Sequence, residues 1–66
     1  MKQNTIVALW RAYARLQQIA AELYEAAEVA LENDDFDDAS LLASRADKLY
    51  EEAENLDILI AELDSE

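Results

Sequence analysis

The chain has 66 residues and a net charge of −11, from 16 acidic and 5 basic residues, and it contains no Cys, His, Gly or Pro. The missing Cys and His exclude disulfides and thiolate sites and remove the commonest metal ligand and general base. The negative charge repels phosphates and anionic lipids, and so disfavours RNA and membranes as partners. A chain this short buries little surface on folding, so we expect a single non-enzymatic domain whose core is completed by association.

Local preferences favour an all-α fold, because Ala, Glu and Leu are strong helix formers and no helix breaker is present. The one break in composition is the polar segment 32–38. We predict helix 1 over about 5–32, a loop over 33–35 and helix 2 over about 36–63. A short loop between long helices makes them antiparallel neighbours, so the prediction is a two-helix hairpin.

The loop carries residues that stop one helix and start the next. We expect Asn33 to supply the left-handed residue that ends helix 1 in place of Gly. We expect Asp34 or Asp35 to act as the N-cap of helix 2. The Asp residues of this segment also lie where the positive end of the dipole of helix 2 would be.

Both helices carry a heptad repeat, labelled a to g, with mostly small residues at a and Leu at d. In helix 1, position a holds Ile6, Tyr13, Ala20 and Ala27, and position d holds Leu9, Leu16, Leu23 and Ala30. In helix 2, position a holds Ala39, Ala46, Ala53 and Ile60, and position d holds Leu42, Leu49, Leu56 and Leu63.

The apolar stripe is wider than one helix–helix contact needs. The flanking e and g positions add Trp10, Tyr24, Leu31, Tyr50, Ala12, Ile19 and Ala26. Since a lone hairpin would leave these residues in water, we predict a homodimer that forms a four-helix bundle. The predicted dimer seam is Leu9, Tyr13, Leu16, Ile19, Leu23, Leu42, Leu49, Leu56 and Ile60.

Two motifs that resemble chemical sites fail on inspection. A calcium loop that starts at Asn33 would need Gly where Asp38 stands and Glu where Ser44 stands. A di-metal site in a helical bundle uses Glu-x-x-His pairs, and the chain has no His. We therefore predict no catalytic, cofactor or metal-binding residues.

Two surfaces are candidates for binding a partner. Apolar and basic residues meet at the open end of the hairpin, and these candidate partner-binding residues are Val7, Trp10, Arg11, Arg15, Ile58 and Leu59. Carboxylates at helical spacing lie about 5–6 Å apart and imitate a row of phosphates. That acidic face consists of Glu25, Glu28, Glu32, Asp34 and Asp35.

The chain resembles the Rop family of plasmid copy-number regulators, which are homodimeric helical hairpins. The resemblance is carried by the Ala/Leu layers and by Lys2-Gln3, Thr5, Ala8-Leu9, Ala12 and the run Ala46-Asp47-Lys48-Leu49-Tyr50. It implies RNA binding through helix 1, where Lys2 and Gln18 match family positions. The chain departs from the family at Trp10, Ala14 and Glu25, which stand at Asn, aromatic and Lys positions.

The sequence as a whole predicts a small acidic regulator that acts as a homodimer by binding another protein. Such a protein would suit a phage or plasmid accessory gene. The alternatives are Rop-type RNA binding and nucleic-acid mimicry that inhibits a DNA-binding protein. Since neither a signal peptide nor a membrane-length apolar run is visible, we expect a cytoplasmic location.

Overall fold

The computed structural model describes the backbone of residues 2–65 and the side chains of residues 3–65. It contains two α-helices, α1 (Lys2–Glu32) and α2 (Phe36–Asp64), which pack side by side along their length. The predicted all-α hairpin is confirmed. Helix α1 begins at Lys2 rather than near Thr5, and α2 ends at Asp64 rather than near Leu63.

The turn between the helices closes α1 with two backbone hydrogen bonds. The N–H of Asp35 donates to the carbonyl of Ala30 at 2.8 Å, and the N–H of Asp34 donates to that of Leu31 at 3.1 Å. This pair of bonds is a Schellman motif, which satisfies carbonyl groups that the end of a helix would otherwise leave free.

The left-handed residue of this motif is Asp34, with φ of 61°, so the prediction that Asn33 takes this role was wrong. Asn33 instead lies one position earlier and keeps bonding to α1. Its backbone N–H reaches the carbonyls of Val29 and Ala30. Its side-chain amide donates to the carbonyl of Val29 at 3.0 Å. Because Asn33 is held by these bonds, the reversal of the chain falls on the next residue.

Helix α2 has Asp35 as its N-cap, one of the two residues predicted for this role. The carbonyl of Asp35 accepts the first helical hydrogen bond, from the N–H of Ala39 at 3.0 Å. Its side chain makes no capping hydrogen bond. Asp37 and Asp38 lie in the first turn, where the positive end of the helix dipole stabilises them.

The core of the hairpin is built almost entirely from Ala. The residues buried within the described part of the chain are Ala20, Ala27, Ala30, Ala39, Ala46, Ala53 and Ile60. All but Ala30 occupy heptad position a. Small side chains let two helices approach closely, so the a rows of both helices meet directly. The Leu side chains at position d are too large for this contact, and they stay half-buried along its margin.

The hairpin is long and thin, with principal extents of 50 × 14 × 11 Å. Its accessible surface of 5029 Å² is about a fifth larger than the ~4,200 Å² of a compact monomer of this mass. Neither helix, over the residues that the structure describes, is apolar enough for long enough to cross a membrane.

Candidate interaction surfaces

The burial pattern divides the hairpin into two broad sides. Around each helix, position a is flanked by d in one direction and by e in the other. Because the a rows face each other in an antiparallel pair, the d rows of both helices lie on one side and the e rows on the other. We call the d side the Leu face, formed by Leu9, Leu16, Leu23, Leu42, Leu49, Leu56 and Leu63.

The Leu face is continuous along both helices. All seven of its Leu side chains are partly exposed: most of each lies against the hairpin, and a smaller part remains open to water. Ile19 and Leu59, at position g of their helices, extend the apolar surface at its edges and are exposed. In the same g row of α2, Leu59 is preceded by Glu52 and Arg45. Charges of both signs therefore border this face.

The opposite side carries the larger aromatic residues, and we call it the aromatic face, formed by Trp10, Tyr24, Leu31, Phe36 and Tyr50 at position e. The rings of Tyr24 and Tyr50 stack across the two helices with centroids 5.7 Å apart and an interplanar angle of 26°. The hydroxyl of Tyr24 donates a hydrogen bond to the carboxylate of Asp47. These contacts place the e rows of both helices on the same side.

A second aromatic pair lies near the open end of the hairpin. The ring of Trp10 meets that of Tyr13 edge to face, with centroids 5.4 Å apart. The hydroxyl of Tyr13 accepts a hydrogen bond from the side-chain amide of Gln17 at 2.9 Å. Trp10 is therefore held in place on one side while its other side remains in water.

Near the turn, the aromatic face includes the most exposed large apolar side chain among the described residues. Phe36 is 63 % exposed, and the neighbouring Leu31 is 52 % exposed. From the sequence, Phe36 was expected only as the first residue of helix 2 and was given no role on a surface. Its heptad position was the available signal, because Phe36 stands at e, seven residues before Ala43 and in the same row as Tyr50.

The residues predicted for the dimer seam do not share one surface. Six of the nine belong to the Leu face, and Ile19 lies at its edge. Tyr13 and Ile60 occupy position a, and Ile60 is buried inside the hairpin. Ile60 therefore packs between the two helices and has almost no surface left for a second copy.

The six candidate partner-binding residues meet at the open end but lie on different sides of it. Trp10 belongs to the aromatic face, whereas Leu59 lies at the edge of the Leu face. Val7, at position b, is exposed on the same side as Trp10, whereas Ile58, at position f, is exposed on the outer surface of α2. Arg11 and Arg15 are also exposed. The hairpin itself thus separates the apolar members of this set.

The acidic residues lie fully on the outside. Glu25 and Glu32 follow the outer surface of α1 towards the turn, and Glu28, at position b, lies between that surface and the aromatic face. A shallow open hollow at the turn is lined by Asp34, Asp35, Phe36, Asp37 and Asp38. Within residues 2–65 no group of three or more potential ligand residues is arranged to hold a metal ion.

The fold thus defines an acidic helical hairpin with two unlike apolar sides. Comparisons of the chain with protein-family models, with curated proteins and with solved structures gave no match.

Proposed function

We propose that this protein is a non-enzymatic association module that works as a homodimer, with the Leu face of one chain packed on the Leu face of another. The two hairpins then form a four-helix bundle, the architecture implied by the resemblance to the Rop family. As a dimer, the protein regulates a protein partner through the surfaces that remain outside the bundle.

The burial pattern is the observation that carries this proposal. The described part of the hairpin contains one large, fully buried side chain, Ile60, and the rest of its core is Ala. Seven Leu side chains meanwhile lie mostly against the hairpin but remain partly open to water on one side. Full burial of an exposed Leu side chain stabilises a protein by about 1.5–3 kcal/mol. A second copy on the Leu face would bury the part of each Leu that is still open to water, and it would so complete the core that the hairpin lacks.

The size of the exposed surface supports the same proposal. The accessible area exceeds that of a compact monomer of this mass by ~800 Å². A stable interface of ordinary size buries about 800 Å² on each partner. Covering the Leu face would therefore bring the area of each chain close to that of a compact protein.

Charge favours one orientation of the two copies. The turn of each chain carries Asp34, Asp35, Asp37 and Asp38 within a few residues. A two-fold arrangement with the turns at opposite ends keeps these two clusters far apart. The opposite arrangement would bring them together, and like charges in contact oppose association.

The direct test is the molar mass of the full chain in solution, by light scattering over a concentration series. We expect a mass of twice 7.5 kDa down to low micromolar protein. The double variant Leu16→Glu with Leu49→Glu places charge on the Leu face and should reduce the mass to that of one chain. A folded monomer at every concentration would refute the homodimer.

A matched control uses the opposite side of the same hairpin. Ala14→Glu with Ser40→Glu introduces the same two charges at exposed b positions, on the side of the aromatic face. We expect this variant to keep the dimeric mass. Equal loss of dimer in both variants would mean that added negative charge, rather than the Leu face, controls assembly.

The sequence also offered two alternative functions, RNA binding and nucleic-acid mimicry. RNA binding requires Arg11 and Arg15, so retention of a structured RNA that Arg11→Glu with Arg15→Glu abolishes would support the Rop-type alternative. Nucleic-acid mimicry requires the acidic face, so inhibition of a DNA-binding protein that is lost on neutralising Glu25, Glu28 and Glu32 would support that one.

A further inference from the structure

A second apolar surface remains when the Leu face is covered. The aromatic face lies on the other side of the hairpin, where a second copy on the Leu face does not reach it. Trp10 is 45 % exposed there, and Leu31 and Phe36 are more exposed still. Together with the stacked Tyr24 and Tyr50, these residues form an apolar row along both helices.

Small side chains separate these large ones. Ala14, Ala21, Ser40 and Ala43 occupy four of the e and b positions between the aromatic residues, and Gln17 occupies the e position between Trp10 and Tyr24. Small side chains beside large ones leave room above them for the side chains of a partner. An amphipathic helix binds such a surface by placing its own apolar side chains over the small residues.

The charge on this side has a single sign. No Lys or Arg occurs at an e or b position of either helix. The same positions carry the carboxylates of Glu28, Asp47, Glu54 and Asp57. Asp47 accepts the hydrogen bond from Tyr24, while Glu28, Glu54 and Asp57 are exposed beside the apolar row. A ligand for this surface must therefore be apolar on its contact side and basic at its edges.

We propose that the aromatic face binds a basic amphipathic helix of a partner protein. The proposal rests on the proposed function, which it deepens by naming the chemistry of the partner. Leu or similar side chains of that helix would cover Leu31, Phe36 and Trp10. Its Lys or Arg side chains would pair with Glu28, Glu54 and Asp57. The dimer carries this surface twice, once on each hairpin.

Charge argues against the other occupants. A second aromatic face would bring the carboxylates of one chain against those of the other, with no basic residue in either e or b row to offset them. Nucleic acid is excluded from this surface by the same carboxylates. A basic helix is attracted both by the surface and by the net charge of −11.

The test is titration of the full chain with a synthetic peptide of about 18 residues, Leu and Lys only, with Leu at helical spacing. Trp10 is the only Trp of the chain, so its emission reports the aromatic face directly. We expect a shift of that emission to shorter wavelength as the peptide displaces water from the ring. A peptide of the same composition with the Leu positions scrambled should bind at least about tenfold more weakly.

Two pairs of variants locate the site. Leu31→Ser with Phe36→Ser truncates the aromatic face near the turn and leaves Trp10 in place as reporter. We expect binding to weaken by about tenfold. The matched control is Val29→Ser with Leu41→Ser, which removes side chains of similar exposure, 55 % and 59 %, at the same end but at position c. It should change the affinity by less than about twofold.

The electrostatic contribution is tested in the same way. Glu54→Gln with Asp57→Asn should weaken the peptide complex by about tenfold, because both carboxylates border the proposed site. Glu22→Gln with Glu25→Gln also removes two negative charges, but from positions c and f of α1, away from the aromatic face. We expect this control to weaken binding by less than about threefold. Equal losses in the two pairs would overturn the proposal, because the net charge alone would then hold the peptide.

Mass measurements separate this proposal from the homodimer. A complex of two chains and two peptides supports both. A monomer that still binds the peptide, with the predicted losses at Leu31 and Phe36, would refute the homodimer and leave the binding site standing. Two other results would overturn the site. One is a peptide that splits the dimer and so occupies the Leu face. The other is a tetramer that Leu31→Ser with Phe36→Ser reduces to a dimer, which would make a second copy the occupant.

Discussion

The Leu face and the aromatic face lie on opposite sides of the same contact, yet they differ in every property that governs association. The Leu face is aliphatic, continuous and bordered by charges of both signs. The aromatic face is interrupted by small residues and bordered by carboxylates alone. Its central residues are also engaged within the hairpin, since Tyr24 and Tyr50 stack on each other and Tyr24 bonds to Asp47.

This difference indicates that apolar area alone does not decide which surface pairs with itself. A two-fold interface brings a surface patch against the same patch of the second copy, so it tolerates aliphatic rows and mixed charges well. Charges of one sign repel in the same situation and suit a partner of opposite charge. The two faces therefore suit two kinds of partner, and the variants below separate them by size of effect.

The largest effect is expected for Leu49→Ala on the Leu face. Its side chain is half-buried in the hairpin and would be covered fully in the proposed dimer. We expect a loss of about 2–4 kcal/mol in the free energy of unfolding per chain. Urea unfolding at several protein concentrations measures it. On the aromatic face, Leu31→Ala should change stability by less than about 0.5 kcal/mol. Similar losses at both positions would erase the distinction between the faces.

The next largest effect is expected inside the contact that separates the two faces. Ala46 is completely buried between the helices. Ala46→Leu forces extra atoms into this close approach, and we expect it to cost about 1–3 kcal/mol. Thermal unfolding followed by circular dichroism measures the loss. Ala14→Leu adds the same atoms at an exposed position of α1 and should leave the midpoint nearly unchanged. A neutral Ala46→Leu would contradict the tight packing of the a rows.

A smaller effect is expected for Tyr24→Phe, which removes the hydroxyl that bonds to Asp47 but keeps the ring. Because this bond lies at the surface, we expect a loss of about 0.5–1 kcal/mol in the free energy of unfolding. The mass in solution should stay that of the parent chain. Tyr13→Phe serves as control, since the hydroxyl of Tyr13 bonds to Gln17 of the same helix. A change of oligomeric state on Tyr24→Phe would place the aromatic face in the self-interface.

The smallest effect is a gain in stability at the turn, which belongs to neither face. Asp34 has a left-handed backbone that Gly adopts without steric cost. We expect Asp34→Gly to stabilise the hairpin by about 0.5 kcal/mol without changing the mass. Asp34→Asn removes the same charge and keeps the Cβ, so it isolates the electrostatic part. A gain for Asp34→Asn as large as for Asp34→Gly would assign the effect to charge.

Much of the fold could be predicted from local signals. The absence of helix breakers and the polar segment 32–38 predicted two helices and the turn. The choice between Asn33 and Asp34 as the left-handed residue could not be made in this way. Both residue types tolerate that backbone, and the outcome depended on bonds from Asn33 back to Val29 and Ala30.

The candidate surfaces were predicted less completely. The heptad repeat identified nearly every residue of the Leu face, because apolar side chains at fixed spacing share one side of a helix. Phe36 was missed as a surface residue because it follows the Asp-rich turn, where the repeat has only begun. Trp10 and Leu59 were grouped because both lie at the open end of the hairpin. Two residues at the same end can still lie on opposite sides, because closeness to one end does not determine the side that a residue occupies.

The sequence by itself determined that this chain is an acidic, all-α hairpin with a continuous Ala and Leu repeat, because helix propensity and periodicity are local properties. Only the tertiary structure decided that the Ala row at position a is buried and the Leu row at position d is left partly exposed. The physical reason is that two helices can approach most closely over their smallest side chains. Each helix is therefore rotated about its axis so that its Ala row faces the other helix. This orientation places the Leu rows on one side of the hairpin and the aromatic residues on the other, and it thereby creates the two faces.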